Sequence, residues 1–259
     1  MDGANAASAD SPSRANSLTR RLASVAILIP ALVAAGWWTV ATIAAVSVCA
    51  ALAISELFAI LRQGGLTPRL GPGLTVGLAL CAAAALRPFT SLDLTGLALA
   101  CGVSLTLGYE LLPRDRSASL QSWALTFTGS VYIGWLLSAF ILLRQIDTPM
   151  HAGVLAPLGI PRGAAWLFLV LAITWIQDSA AYFVGRACGR HLMAPILSPK
   201  KTWEGFVGGM VASILTALVA VPLLGLPISL LAAGLIGAAA GIAGPIGDLG
   251  ESLVKRQMG

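Results

Sequence analysis

Long runs without a charged side chain set the pattern of this chain. The first extends from Leu22 to Ser55, bounded by Arg21 and Glu56. At roughly 1.5 Å rise per residue it is long enough for two short membrane helices. The turn is predicted near Gly36-Trp37-Trp38, where paired tryptophans suit the membrane–water boundary. A secretory leader does not fit, because the apolar core is too long and no convincing cleavage site follows. Further apolar runs occupy approximately 72–86, 94–112, 123–143, 163–186, 204–222 and 227–246. Turn or charge signals separate them: Gly64-Gly65, Arg87-Pro88, Pro113-Arg114, Thr148-Pro149, Ser198-Pro199 and Pro222. The pattern predicts an all-α, polytopic membrane helix bundle of about eight transmembrane helices. Residues 1–17, rich in Ala, Ser, Asn and Asp, read as a disordered cytoplasmic tail. Residues 18–160 then form N-terminal transmembrane helices, and residues 161–259 form a C-terminal transmembrane region carrying the polar motifs.

Composition agrees. Apolar residues make up 57% of the chain, charged residues 10%, and the mean hydropathy is +0.86. A soluble domain carries about a quarter charged residues, so this chain lacks the polar surface to face water on all sides. The cysteines (Cys49, Cys81, Cys101 and Cys188) show no CxxC spacing and read as small buried hydrophobes. Charge fixes the expected orientation. With the N-terminus inside, only Arg87, Arg144 and Arg162 of the 16 basic residues fall on the outer side. The net charge of +5 is therefore membrane topology and gives no reason to expect nucleic acid. The same inner-face charges can attract anionic lipid headgroups and nucleotides.

Carboxylates inside membrane helices need a partner, a wet cavity or a function. Glu56, Glu110, Asp178, Glu204, Asp248 and Glu251 all fall in the predicted cytoplasmic half or at its boundary, as a pocket opening to the cytoplasm would require. Three segments stand out. In Gln177-Asp178-Ser179-Ala180-Ala181-Tyr182, Asp178 and Tyr182 share a helix face. Asp178 lies roughly 12 Å along the axis from Arg186, so it is either functional or half of a structural ion pair. In Ser198-Pro199-Lys200-Lys201-Thr202-Trp203-Glu204-Gly205, Ser198 and Pro199 are expected to start a helix. Its free N–H groups beside Lys200 and Lys201 would form an anion site; the alternative is an ordinary basic membrane anchor. Glu204 and Gly205 favour phosphate binding, since an anchor needs no carboxylate and glycine lets a ligand or backbone come close. In Gly244-Pro245-Ile246-Gly247-Asp248, the Gly-Pro-Gly run is expected to break the helix and free backbone carbonyls. Beyond it Asp248, Glu251, Ser252 and Lys255 share one face. Asp248 and Glu251 are candidate Mg²⁺ ligands, with internal Glu–Lys pairing as the alternative. The spacings Gly205/Gly209 and Gly237/Gly241 suit close helix packing.

In this order the three segments resemble the phosphatidate cytidylyltransferase (CDP-diacylglycerol synthase) family of bacterial membranes. The likeness rests on Asp178-Ser179-Ala180-Ala181-Tyr182 with Gly185-Arg186, on Ser198 through Gly205, and on Gly247-Asp248-Leu249 with Glu251-Ser252 and Lys255-Arg256. It covers roughly the last third of the chain; Glu56 is a further match. The resemblance implies transfer of CMP from CTP to phosphatidic acid, giving CDP-diacylglycerol and pyrophosphate, with Mg²⁺ as cofactor. It implies catalytic roles for Asp178, Lys201 and Asp248. Substrate contacts are implied for Ser198, Lys200, Lys201, Thr202, Glu204, Lys255 and Arg256, and Mg²⁺ ligation for Asp248 and Glu251. The implied location is the bacterial inner (cytoplasmic) membrane, with CTP, phosphatidic acid and membrane lipid as partners; glycine-rich spans leave a homodimer open.

In one respect the sequence departs from this family. The family signature continues beyond the Lys-Arg pair with Lys-Asp, His-Gly-Gly and Asp-Arg-x-Asp elements and another apolar span. This sequence ends at Gly259, and neither His151 nor His191 fills the His-Gly-Gly role. The 259-residue form is therefore expected to be a fragment or shortened relative with little or no turnover. Two other readings stay open: a transporter with a cytoplasm-facing acidic site, and a non-catalytic lipid-binding relative.

Overall fold

The computed structural model describes residues 33–112 and 119–258. Residues 33–37 are helical up to a bend at Trp38. Seven helices follow: α1 (Thr39–Gln63), α2 (Leu70–Leu86), α3 (Leu94–Glu110), α4 (Ser119–Arg144), α5 (Arg162–Cys188), α6 (Trp203–Leu224) and α7 (Leu230–Met258). All but α3 are long and apolar enough to cross a membrane; α3 is a shorter apolar helix of 17 residues. The bend at Trp38 matches the turn predicted within the first apolar run. The rest of that run's first helix and the predicted tail 1–17 lie outside the described residues.

Local chemistry explains the boundaries. Asp93 caps α3, accepting from Gly96 N–H at 3.0 Å. The chain leaves α1 through Gly64-Gly65 and α6 through Gly225, with φ of 81° at Gly65 and 70° at Gly225, where a side chain would be strained. Arg144, at the end of α4, donates to the carbonyls of Gly36 and Trp37 at 2.8 and 2.6 Å, closing the C-terminus of the preceding helical segment.

Helices α1–α4 pack on one another and α5–α7 on one another, with α4 against α5 and α1 against α7 joining the groups. Ile54, Phe58 and Leu61 form one core cluster, and Ala50, Cys81, Ala84 and Ile141 another. A third brings Leu169 and Ile173 of α5 against Ala217, Val221 and Ala233. Association of apolar helices in lipid relies on close packing, and small residues supply it. A Cβ built on Gly134 would lie 2.6 Å from the Cα of Gly77, so α2 and α4 touch backbone to backbone. Gly205 meets α5 the same way, its would-be Cβ lying 2.8 Å from the Ala181 carbonyl oxygen.

Two segments depart from the sequence expectation. Ser198–Thr202 is not a helix start but β2, antiparallel to β1 (Leu192–Ala194) in a two-stranded hairpin. Strand pairing satisfies the backbone there, and the helix starts instead behind Thr202, whose hydroxyl accepts from Gly205 N–H at 3.2 Å. The Gly-Pro-Gly run does not break α7, which continues through Pro245 to Met258. The carbonyl that Pro245 leaves without a helical donor is that of Gly241, and the Gln177 side chain of α5 donates to it at 3.3 Å. A substitute donor from a neighbouring helix removes the reason to break.

Candidate functional site

The up-and-down course of the helices sorts the charges by end. Arg87, Arg144 and Arg162 lie at the end where α2 and α4 finish and α5 starts. Arg162 is paired there with Asp147 at 2.8 Å. Arg62, Arg69, Arg186, Arg190, Lys200, Lys201, Lys255 and Arg256 lie at the opposite end, and the six carboxylates noted above fall in the same half of the bundle.

The hairpin Leu192–Thr202 crosses this basic end between α5 and α6. Side chains alternate along a strand, so adjacent Lys200 and Lys201 point to opposite faces. Lys201 turns towards α7, where its Nζ donates to Asp248 Oδ2 at 2.7 Å. The lysine side chain is 26% exposed and the aspartate 55%, so the pair sits at an open edge. Asp178 of α5 lies within electrostatic reach of both. Lys201 and Asp248 thus meet from separate stretches, with Asp178 in their neighbourhood.

Other predicted site residues are engaged nearby. The Glu204 carboxylate accepts from the backbone N–H of His191 at 3.3 Å, and Glu204 Oε1 meets His191 Nδ1 at 2.6 Å. Glu204 therefore clamps the entry to the hairpin, and Trp203 N–H completes the closure on the His191 carbonyl at 2.9 Å. Thr202 serves as a cap, and Gly205 is filled by α5 and offers no room for a ligand. With β2 in place of a helix start, Ser198 and Pro199 do not present the free N–H cradle expected beside Lys200 and Lys201. Glu251 Oε1 pairs with Lys255 Nζ at 2.5 Å, while Arg256 Nε reaches the Leu197 carbonyl at 3.4 Å and ties the hairpin turn to α7. Among the described residues no group of three His, Cys, Asp or Glu side chains forms a ready metal cage.

Three features escaped the sequence. His191 as partner of Glu204 depends on strand pairing, which spacing does not reveal. Gln177 is 2% exposed, and its only signal was its polarity within an apolar run. The third is a separate buried cluster. Glu110, 3% exposed, accepts from Arg69 Nε at 2.8 Å and Nη2 at 3.3 Å, and from Ser122 Oγ at 2.6 Å. The hydrogen bond to Glu110, with the charge of that carboxylate, pushes the Arg69 guanidinium further above its ordinary pKa.

Two hollows flank the hairpin base. One, of about 430 Å³, is lined by Cys188, Arg190, His191 and Glu204. The other is an apolar groove of about 640 Å³ running from Trp203 and Glu204 past Val207, Val211 and Leu215, with Val184 opposite.

The Cytidylyltransferase family profile matches residues 19–259. The phosphatidate cytidylyltransferase of Synechocystis sp. is 30% identical over 251 residues, covering 91% of this chain and 82% of that protein. The enzyme of that name from Staphylococcus saprophyticus is 27% identical over 224 residues, covering 81% and 84%. That of Brucella suis is 39% identical over 167 residues, covering 61% of this chain and 54% of the relative, so there the match spans about half the relative's length.

Proposed function

The chain belongs to the cytidylyltransferase family, and on that premise we propose that it is a phosphatidate cytidylyltransferase of the bacterial inner membrane. It is a multi-pass membrane nucleotidyltransferase that moves CMP from CTP to phosphatidic acid. Its basic end faces the cytoplasm, where CTP is found; the excess of Arg and Lys at that end supports this orientation.

The observation that carries the reading is the 2.7 Å contact between Lys201 and Asp248 at the basic end, with Asp178 of α5 near enough to feel both charges. Both substrates are anionic, one soluble and one carrying acyl chains. A basic site at the end of an apolar helix bundle suits both. A phosphate oxygen of phosphatidic acid attacks the α-phosphorus of CTP, a new P–O bond forms, and the bond to the β-phosphate oxygen breaks to release pyrophosphate. A phosphate monoester loses its second proton near pH ~6, so the attacking oxygen is already an anion at neutral pH and needs no strong base. Positioning and charge neutralisation are what the protein must supply. Lys201 leaves Asp248 to hold the triphosphate, and Lys200, Lys255 and Arg256 add positive potential around it. Asp248 would hold Mg²⁺ with Asp178 as a second acidic group, while Glu251, the other expected ligand, is paired with Lys255. One or two carboxylates together with substrate phosphates would suffice for this ion without an all-protein cage. When bound, it neutralises charge on the departing pyrophosphate.

The test is turnover of labelled CTP with detergent-dispersed phosphatidic acid and Mg²⁺ by the whole gene product. CDP-diacylglycerol and pyrophosphate should appear in equal amounts. Asp248→Asn should cut the rate about 100-fold or more while the protein stays folded in detergent. Absence of both products from the unaltered protein would overturn the reading. A near-normal rate in Asp248→Asn would remove that residue from the site.

A further inference from the structure

Gln177 is a buried polar side chain that the proposed reaction leaves unused. It is buried on α5, and its Nε2 reaches 64 residues along the chain to the Gly241 carbonyl of α7. Pro245, four residues further on, has no N–H to offer that carbonyl, so the bond fills a gap in the helix ladder. The slot is shaped for this amide. A Cβ on Gly244 would lie 2.8 Å from Nε2, and one on Gly209 of α6 would lie 3.3 Å from Cγ. One turn earlier, Ser213 Oγ of α6 donates to the Gly237 carbonyl at 2.8 Å, so α7 is held from two helices on successive turns. Asp248 lies seven residues beyond Gly241, roughly 10.5 Å along the axis, and Asp178 adjoins Gln177 in sequence.

We propose that Gln177 is a positioning residue, whose amide clamps α7 to α5 and thereby sets Asp248 against Lys201 and Asp178. The catalytic consequence rests on the cytidylyltransferase reading; the geometric one does not. Pro245→Ala separates positioning from mere satisfaction of a carbonyl, because it gives Gly241 a backbone donor within α7 without bridging to α5. Gln177→Leu should lower kcat about 10- to 100-fold with little change in the KM for phosphatidic acid. Adding Pro245→Ala should restore thermal stability but not kcat. Where Gln177→Leu fails to fold, Gln177→Met, unbranched and adaptable, replaces it.

A second readout is independent of activity. Lys201→Cys and Asp248→Cys, in a chain otherwise free of cysteine, are joined with a short bifunctional thiol reagent. The cross-link should form readily with Gln177 present, fall several-fold in Gln177→Leu, and stay low after Pro245→Ala is added. An unchanged yield in Gln177→Leu would overturn the clamp. So would recovery of both yield and kcat in the double variant, or no cross-link with Gln177 in place. If CTP is never turned over while the cross-link behaves as described, the functional reading fails and the clamp stands.

Discussion

Lys201 and Glu204 are three residues apart, and sequence reasoning gave both to phosphate. Their surroundings divide them: Lys201 faces Asp248, whereas Glu204 holds His191 and the hairpin backbone. Lys201→Ala should therefore raise the KM for CTP about 10-fold, the weight of one charge-assisted bond to phosphate. Steady-state kinetics at fixed phosphatidic acid checks this, and an unaltered CTP dependence in both Lys200→Ala and Lys201→Ala would remove the hairpin from nucleotide binding. Glu110 makes the complementary case. Its carboxylate is buried against Arg69, whose side chain is 35% exposed, and Ser122. Glu110→Ala should destabilise the protein by about 2–3 kcal/mol, below the cost for a fully buried pair because Arg69 keeps some access to water. Reversible unfolding in mixed detergent measures it. Residue types and depth were legible in the sequence for all six inner-end carboxylates. Their partners were not, because pairs such as 69 with 110 and 191 with 204 are made by packing and strand register.

For the elements, hydrophobic runs located most helices to within a few residues, from 72–86 observed as Leu70–Leu86 to 163–186 observed as Arg162–Cys188, whereas the run 227–246 fell well short of α7, which continues to Met258. Bilayer-length apolar runs leave the backbone little choice but helix. The misread elements are those where backbone groups find partners elsewhere. Ser198-Pro199 has the chemistry of a helix start, yet pairing with Leu192–Ala194 competes successfully. Gly244-Pro245 has the chemistry of a break, yet a side-chain amide from α5 repairs the ladder. Gly205 was correctly legible as a close-packing glycine through its spacing to Gly209, though not as ligand space. Gly205→Val should force α6 away from the Ala181 carbonyl and Gly185, costing about 1–3 kcal/mol. A lowered thermal midpoint in detergent would show it; an unchanged midpoint would mean that the crossing yields easily.

Over the whole molecule, the two ends of the bundle are chemically unlike, and orientation is the property to test. Ile196 at the hairpin tip is 89% exposed, and Phe89 at the opposite end is 83% exposed. In a cysteine-free background, Ile196→Cys should react with an impermeant thiol reagent only when the cytoplasmic face is presented, in inside-out vesicles. Phe89→Cys should react only in right-side-out spheroplasts. The reverse pattern would invert the topology and place the nucleotide site on the wrong side of the membrane for CTP.

The contact between Lys201 and Asp248 balances charge within the site itself. At 2.7 Å an ammonium and a carboxylate quench each other, so neither stray phosphate nor stray cation meets a bare charge. A nucleotide arriving with its cation offers both partners a replacement at once, whereas either ion alone offers one and strands the other. The electrostatics thus favour joint arrival, and an exposed latch of this kind loosens as ionic strength rises.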